Sequence, residues 1–273
     1  MFEAGYSMLI AFDLDGTFLR DDKSIPEENL EAVHAAAEAG HICVPATGRI
    51  FTGLPAELKS LPYFILSNGA SIAGSGGEVI LRNEIPNSQA LEIFSYLDTI
   101  DCYYDCYVSD FGRISREWYE CADKFMPVPG ILHLIKSLRD PVDNLADSIR
   151  ESGEDVMKIQ LYFLDMEERS RQLKILPGLF SGIKVSSSVV NNIEINSSKA
   201  GKGSALNTLA SYLNIPMSET VAFGDGTNDS EMLLAAGRSF AVGNASEEVL
   251  KIAGEICPSN NDAGVGKTIL DLV

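Results

Sequence analysis

The strongest constraint on this chain is an alternation of short apolar runs with helical patterns, broken once by a long stretch of different character and then resumed. Residues 8–12, MLIAF, form a run of the kind buried in a parallel sheet. A polar loop follows. Ser24 and Glu27 then have the spacing of a capping box, with Pro26 in the first helical turn. Leu30, Val33 and Ala37 recur on one face, and Gly40 stops that helix. HICVP at 41–45 and YFIL at 63–66 are the next strands, each one helix further on, as βαβ units require. Residues 71–82 read as a hairpin, SIAG and EVILR, turning at Ser75-Gly76-Gly77.

From about residue 84 the rhythm fails. Residues 88–187 hold most of the aromatics and the only Trp, Trp118. Helical stretches around 88–98 and 166–175 mix there with strands around 102–108, 156–164 and 183–187. This predicts a separate α+β unit of ordinary domain size. The earlier rhythm returns with a strand at 189–195 and a helix carrying Leu206, Leu209, Ala210 and Leu213. TVAF at 220–223, a helix at 229–236, a strand at 238–242 and a helix at 246–253 complete it. The expected class is α/β: a doubly wound, mainly parallel sheet formed by 1–84 and 188–273, interrupted by an inserted α+β domain at 85–187.

A chain of 273 residues can bury a large core. Its formal net charge of −18 repels nucleic acid and anionic membrane, so neither is expected as a partner. A small phosphorylated molecule is not excluded, because local cations invert the field inside a site. Cysteines at 43, 102, 106, 121 and 257 are odd in number and suit no zinc spacing. Reduced thiols in a cytoplasmic protein are the expectation. No basic segment followed by an apolar one begins the sequence, and no apolar run is long enough to span a bilayer. Oligomeric state is not legible.

Four segments could carry chemistry. Asp13-Leu14-Asp15-Gly16-Thr17 places two carboxylates at i and i+2 just past a buried strand, where open α/β sheets bind ligands. Extended backbone would point both to the same side, a crowding that a cation or a shared proton relieves. Taken alone, the segment could also be an acidic turn. Thr47-Gly48-Arg49 follows the second strand, where a hydroxyl and backbone N–H groups suit a phosphate oxygen or a plain helix cap. Lys202 stands at the start of a helix, unfavourably for the macrodipole, and Lys199 is its rival. Gly224-Asp225-Gly226-Thr227-Asn228-Asp229 follows TVAF, and its oxygen-only ligands suit a hard cation such as magnesium.

With these four in order, the sequence resembles the haloacid dehalogenase superfamily of phosphatases, and within it the Cof-type hydrolases. The family's four motifs match Asp13 to Thr17, Thr47 with Gly48 and Arg49, Lys202, and Gly224-Asp225 with Asn228-Asp229. Asn68-Gly69-Ala70 and Val242-Gly243-Asn244-Ala245 match two further recurring segments. The insertion resembles the family's large α/β cap in position and size only. The resemblance implies a phosphatase of small phosphorylated metabolites that uses Mg²⁺. Asp13 would be the nucleophile, forming an aspartyl-phosphate, and Asp15 the general acid and then base. Asp15 is expected to hold a proton near neutral pH. Asp13, the backbone carbonyl of Asp15 and Asp225 would hold the metal, with Asp229 in or near its outer shell. Thr47, Gly48, Lys202 and Asn228 would bind the phosphoryl group, and the cap would set specificity. A sugar phosphomutase and a non-catalytic phosphometabolite-binding module are the alternatives.

Other features are expected to be structural. Gly264-Val265-Gly266-Lys267-Thr268 is half a P-loop and reads better as the start of a C-terminal helix. His34, His41 and His133 form no triad. Tyr103, Tyr104, Tyr107, Trp118 and Tyr119 suit the core of the insert.

Overall fold

The computed structural model describes residues 7–109, 111–125, 132, 136–187 and 189–273. His133 lies outside them. The chain divides into two compact units: Met1–Arg49, Pro55–Arg82 and Gly201–Val273 form one, and Ile50–Leu54 with Asn83–Ala200 the other.

The first unit is built on a five-stranded sheet in the order Glu255–Cys257, Arg238–Val242, Thr220–Gly224, Leu9–Phe12, Ile42–Pro45. All neighbours run parallel. Leu9, Ile10, Ala11 and Phe12 have no exposed surface, because each face of this inner strand is covered. A side chain such as Phe12 contributes about 1.5–3 kcal/mol by that burial. Two pairs of helices wind around the sheet, Glu27–Glu38 against Gly264–Leu270 and Lys202–Tyr212 against Ser230–Ala235.

Three local expectations need correction. The run at 63–66 does not join the parallel sheet as a full strand. Tyr63–Leu66 pairs antiparallel with Ser71–Gly74, which pairs with Val79–Arg82; a single bridge, Ala46 to Ile65, links it to the second strand's end. The first helix has no capping box. Its N-cap is Pro26, and the Ser24 hydroxyl donates instead to Asp22, at 2.6 Å. The strand expected at 189–195 runs Asn192–Ser197 and belongs to the other unit, where it pairs antiparallel with Lys158–Tyr162 and Ile183–Ser186.

That second unit is a six-stranded mixed sheet in the order Ile183–Ser186, Asn192–Ser197, Lys158–Tyr162, Tyr103–Val108, Phe111–Ser115, Arg139–Val142. Alternation along its strands separates two faces. Tyr104, Cys106, Ile159, Leu161, Ile193 and Ile195 pack with Phe94 and Ile149 of two helices, Asn87–Leu97 and Leu145–Ser152. The opposite positions carry Asp105, Lys158, Gln160 and Glu194, all buried. Arg139 ties them together through Asp105, at 2.6 Å, and Gln160, at 2.6 Å. Of the aromatics expected in this core, Tyr104 lies in it against Phe94 and Trp118; Tyr103 and Tyr119 pack with Trp118 in a second cluster around Phe125 and Tyr162, and Tyr107 packs apart from both, with Ile50 and Met157.

Candidate active site

The site lies at the carboxyl ends of the first unit's strands. Leu9–Phe12 is a buried inner strand beside the middle strand Thr220–Gly224, and its last ladder bond, from the Asp13 N–H to the Phe223 carbonyl at 3.0 Å, sets Asp13 beside the end of that strand. Asp13 is buried. The chain then turns back on itself: the Leu14 carbonyl accepts from Thr17 and Leu19, and the Asp13 carbonyl from Phe18. Gly16 makes the turn with φ +89°. A Cβ there would lie 2.6 Å from an Asp225 carboxylate oxygen, so the close approach of these two loops needs glycine.

Asp225 follows directly on its strand and is held by the Thr17 hydroxyl, which donates to Oδ1 at 2.7 Å. Asp229 closes the same loop: its Oδ2 accepts from the backbone N–H groups of Asp225 and Gly226, each at 3.0 Å. Carboxylate oxygens of Asp13, Asp225 and Asp229 converge within 4.8 Å of one another, the one such cluster among the described residues.

Lys202 answers this concentration of negative charge. Its side chain has no exposed surface, and its ammonium donates to Asp13 Oδ1 at 2.6 Å and to Asp229 Oδ1 at 2.5 Å. The rival Lys199 is in the other unit. Packing leaves no room for a side chain at Gly201 or Gly203, where a Cβ would meet Glu231 at 2.3 and 2.6 Å. The helix start therefore sits tight, and Lys202 reaches inward.

The electrostatics follow. Burial pushes the Asp13 carboxyl well above its usual range; Lys202 opposes this, and the charges of Asp229 and Asp225 add to it. Asp225 is raised by burial and by Asp229, against the Thr17 hydrogen bond. Burial alone would lower Lys202, but Asp13 and Asp229 raise it, so it stays an ammonium. An oxygen-only trio whose members destabilise one another's charge is the donor chemistry of a hard divalent cation. The residues present fit Mg²⁺.

Asp15 departs from expectation. Arg49 grips both its oxygens, Nε to Oδ2 at 2.8 Å and Nη2 to Oδ1 at 2.7 Å, and Lys23 reaches Oδ1 at 2.9 Å. Burial would raise the Asp15 carboxyl, but these cations outweigh it and bring it down to about 2. In this arrangement Asp15 is ionised and holds no proton near neutral pH. Distance from a metal does not by itself set its charge; the two cations beside it do.

Thr47 is buried, and its hydroxyl oxygen accepts from the Arg49 N–H at 3.1 Å. Its carbonyl accepts from the Asn68 N–H at 2.9 Å. Asn68 is left-handed, φ 59° and ψ 31°, a conformation that Asn tolerates. A Cβ on Gly48 would lie 3.1 Å from Asn68 Oδ1, and Asn228 Nδ2 approaches the same oxygen at 3.5 Å. Thr47, Gly48, Asn68 and Asn228 thus form a neighbourhood of their own around the Asn68 amide, while Asp13, Lys202, Asp225 and Asp229 form another. The sequence reading gives Thr17 and Arg49 no role of their own, although both lie inside quoted motifs; Lys23, in a polar loop, carries no signal. The half P-loop is packing: the Gly266 N–H donates to Asn29 Oδ1 at 2.7 Å, inside the helix pair.

Comparison with known proteins shows the family. The haloacid dehalogenase-like hydrolase family model matches residues 10–269. Phosphatase YwpJ of Bacillus subtilis is 30% identical over 97% of this chain and 99% of its own. The 5-amino-6-(5-phospho-D-ribitylamino)uracil phosphatase YwtE of the same organism is 28% identical over 97% of each chain. A solved haloacid dehalogenase-like hydrolase from B. subtilis superposes with a TM-score of 0.81 at 28% identity, covering 97% of this chain and 100% of that one. The chain belongs to the haloacid dehalogenase-like hydrolases, in their Cof-type branch. It is a phosphatase, a phosphoric monoester hydrolase. Among the described residues, no helix is long and apolar enough to cross a membrane.

Proposed function

We propose that this phosphatase hydrolyses small phosphorylated metabolites through an aspartyl-phosphate on Asp13, with Mg²⁺ as cofactor. The observation that carries the reading is the shared contact of Lys202 with Asp13 and Asp229 beside Asp225. Asp13, the backbone carbonyl of Asp15 and Asp225 would hold the ion, which when bound neutralises charge on the phosphoryl oxygens. Asp229 spends one oxygen on two backbone N–H groups and the other on Lys202, which supports an orienting role outside the coordination shell.

The chain's own groups would then work in two displacements. An Asp13 carboxylate oxygen attacks phosphorus and the ester oxygen departs as the alcohol, taking a proton from Asp15. Water attacks the aspartyl-phosphate, gives its proton to Asp15, and frees Asp13 and inorganic phosphate. Lys202 offsets negative charge at the phosphoryl group, and Thr47, Gly48 and Asn228 contribute contacts to its oxygens. Held ionised by Arg49 and Lys23, Asp15 is equipped for the second displacement. For the first, it must loosen its hold on Arg49 and Lys23 and take up a proton. The domains proposed are a catalytic core at 1–84 and 188–273 and a specificity cap at 85–187, the core's second part starting nearer Gly201 by the contacts within each unit.

Phosphate release from a panel of small phosphomonoesters, with magnesium and with a chelator, tests this. Asp13→Asn is expected to lose turnover under all conditions. Retained activity in that variant, or activity indifferent to chelation, would remove the assignment.

A further inference from the structure

Lys23 is a non-glycine residue in the left-handed region, at φ +71°. It lies in a tight turn in which the Arg20 N–H donates to the Ser24 carbonyl and the Lys23 N–H to the Arg20 carbonyl, each at 2.9 Å. Glycine would take that conformation without strain, so a long side chain there stands against the backbone's preference. The turn is also anchored. Asp21 accepts from Asn260 Nδ2 at 3.0 Å and from Asn261 Nδ2 at 2.9 Å, and its N–H donates to Asn261 Oδ1. Asn260 Nδ2 also donates to the Leu19 carbonyl at 3.0 Å. The anchored turn delivers one charged group, the Lys23 ammonium, to Asp15 Oδ1.

We propose that Lys23 is a positioning residue for the second half of the reaction: with Arg49 it fixes the Asp15 carboxylate where it receives the proton of the attacking water. Arg49 holds both Asp15 oxygens from one side. Lys23 approaches Oδ1 from a separate loop and adds a third point of attachment. The proposal rests on the reading of Asp15 as the base of the second displacement.

The test uses p-nitrophenyl phosphate, whose leaving group departs without a proton. Its kcat/KM therefore reports the first displacement, and its kcat falls when the second slows. Lys23→Gly relieves the backbone, so its melting temperature is expected to hold or rise. Its kcat is expected to fall about three- to fivefold, the scale of one exposed ion pair. KM falls with it, kcat/KM is unchanged, and a burst of p-nitrophenol appears. Lys23→Arg should keep most of the kcat. An unchanged kcat in Lys23→Gly, or a kcat/KM that drops in step with kcat, would overturn the proposal. Asp15→Asn run in parallel separates the two readings. If Asp15→Asn shows the kcat and KM pattern and Lys23→Gly does not, only the role of Lys23 fails. If Asp15→Asn leaves kcat intact, Asp15 is not the base and both fail.

Discussion

Lys202 and Asp13 are 189 positions apart in sequence, yet the Lys202 ammonium rests 2.6 Å from the Asp13 carboxylate with no exposed surface of its own. A buried cation between carboxylates bears on folding and, on the proposed reading, on chemistry as well. Lys202→Met removes it and leaves Asp13 and Asp229 facing each other. Breaking one partner out of a buried ion cluster costs about 3–5 kcal/mol. The variant should melt at a lower temperature, and magnesium should restore more of that loss than it adds to the parent chain. Its turnover should fall by about 10²-fold or more. Calorimetry with and without magnesium, beside a phosphate-release assay, checks both.

Gly16 and Gly40 share a left-handed backbone, φ +89° and +86°, but only Gly16 faces a neighbour. Alanine at either site adds about 1–2 kcal/mol of backbone strain. At Gly16 it also drives a methyl against Asp225, and a displacement of that order costs ~10²-fold in rate. Gly16→Ala should therefore lose turnover and metal affinity while Gly40→Ala loses stability alone. Equal turnover in the two variants would refute the steric account.

His41 Nδ1 accepts the Met8 N–H at 3.1 Å, at the head of the ladder that seats the first strand. Burial lowers the His41 pKa from its ordinary 6.5, so the fold prefers the neutral ring and the unfolded chain takes up the proton first. The stability this gives is full above that ordinary value and is lost as pH falls through the folded one. Denaturant midpoints should drop more steeply on acidification for the parent chain than for His41→Gln. Parallel slopes would contradict the assignment.

Of the five cysteines, Cys121 alone is not buried. Burial pushes Cys43 and Cys102 up to about 12 and Cys257 to about 11, and raises Cys106 further. Thiolate is the reactive form. A maleimide or disulfide reagent at mildly alkaline pH should label one thiol in the native protein and all of them after unfolding. Mass mapping should place the native label on Cys121.

What the sequence disclosed was governed by how local each signal is. Leu9–Phe12, Ile42–Pro45 and Thr220–Gly224 are short, apolar and buried, and each was legible as a strand from composition alone. Pairing was less legible. Tyr63–Leu66 has the same composition, but a hairpin partner eight residues on captures it into an antiparallel sheet. Asn192–Ser197 was assigned to the wrong unit, because a strand pattern does not say which sheet it joins. Glu255–Cys257, an edge strand with exposed Ile256, gave no apolar run to find. The same holds in the site. Asp13, Asp225 and Lys202, which the structure brings together, are singled out by the sequence because residue type and position each limit what they can do. Lys23 meets Asp15 only through a turn pinned by Asn260 and Asn261 from the far end of the chain, and no local pattern encodes that.

The strand bearing Asp13 is hydrogen-bonded on one side to Ile42–Pro45 and on the other to Thr220–Gly224. During synthesis, the first neighbour is available soon after the strand emerges; the second arrives only once the whole inserted domain has been made. Asp225, Asp229 and Lys202 come with it. A ribosome-bound chain that stops within the insert carries Asp13 on a half-finished sheet, with no ammonium against it and no second carboxylate beside it. The order of translation thus acts as a timer: the proposed reactive centre cannot exist before the domain that lies between its parts.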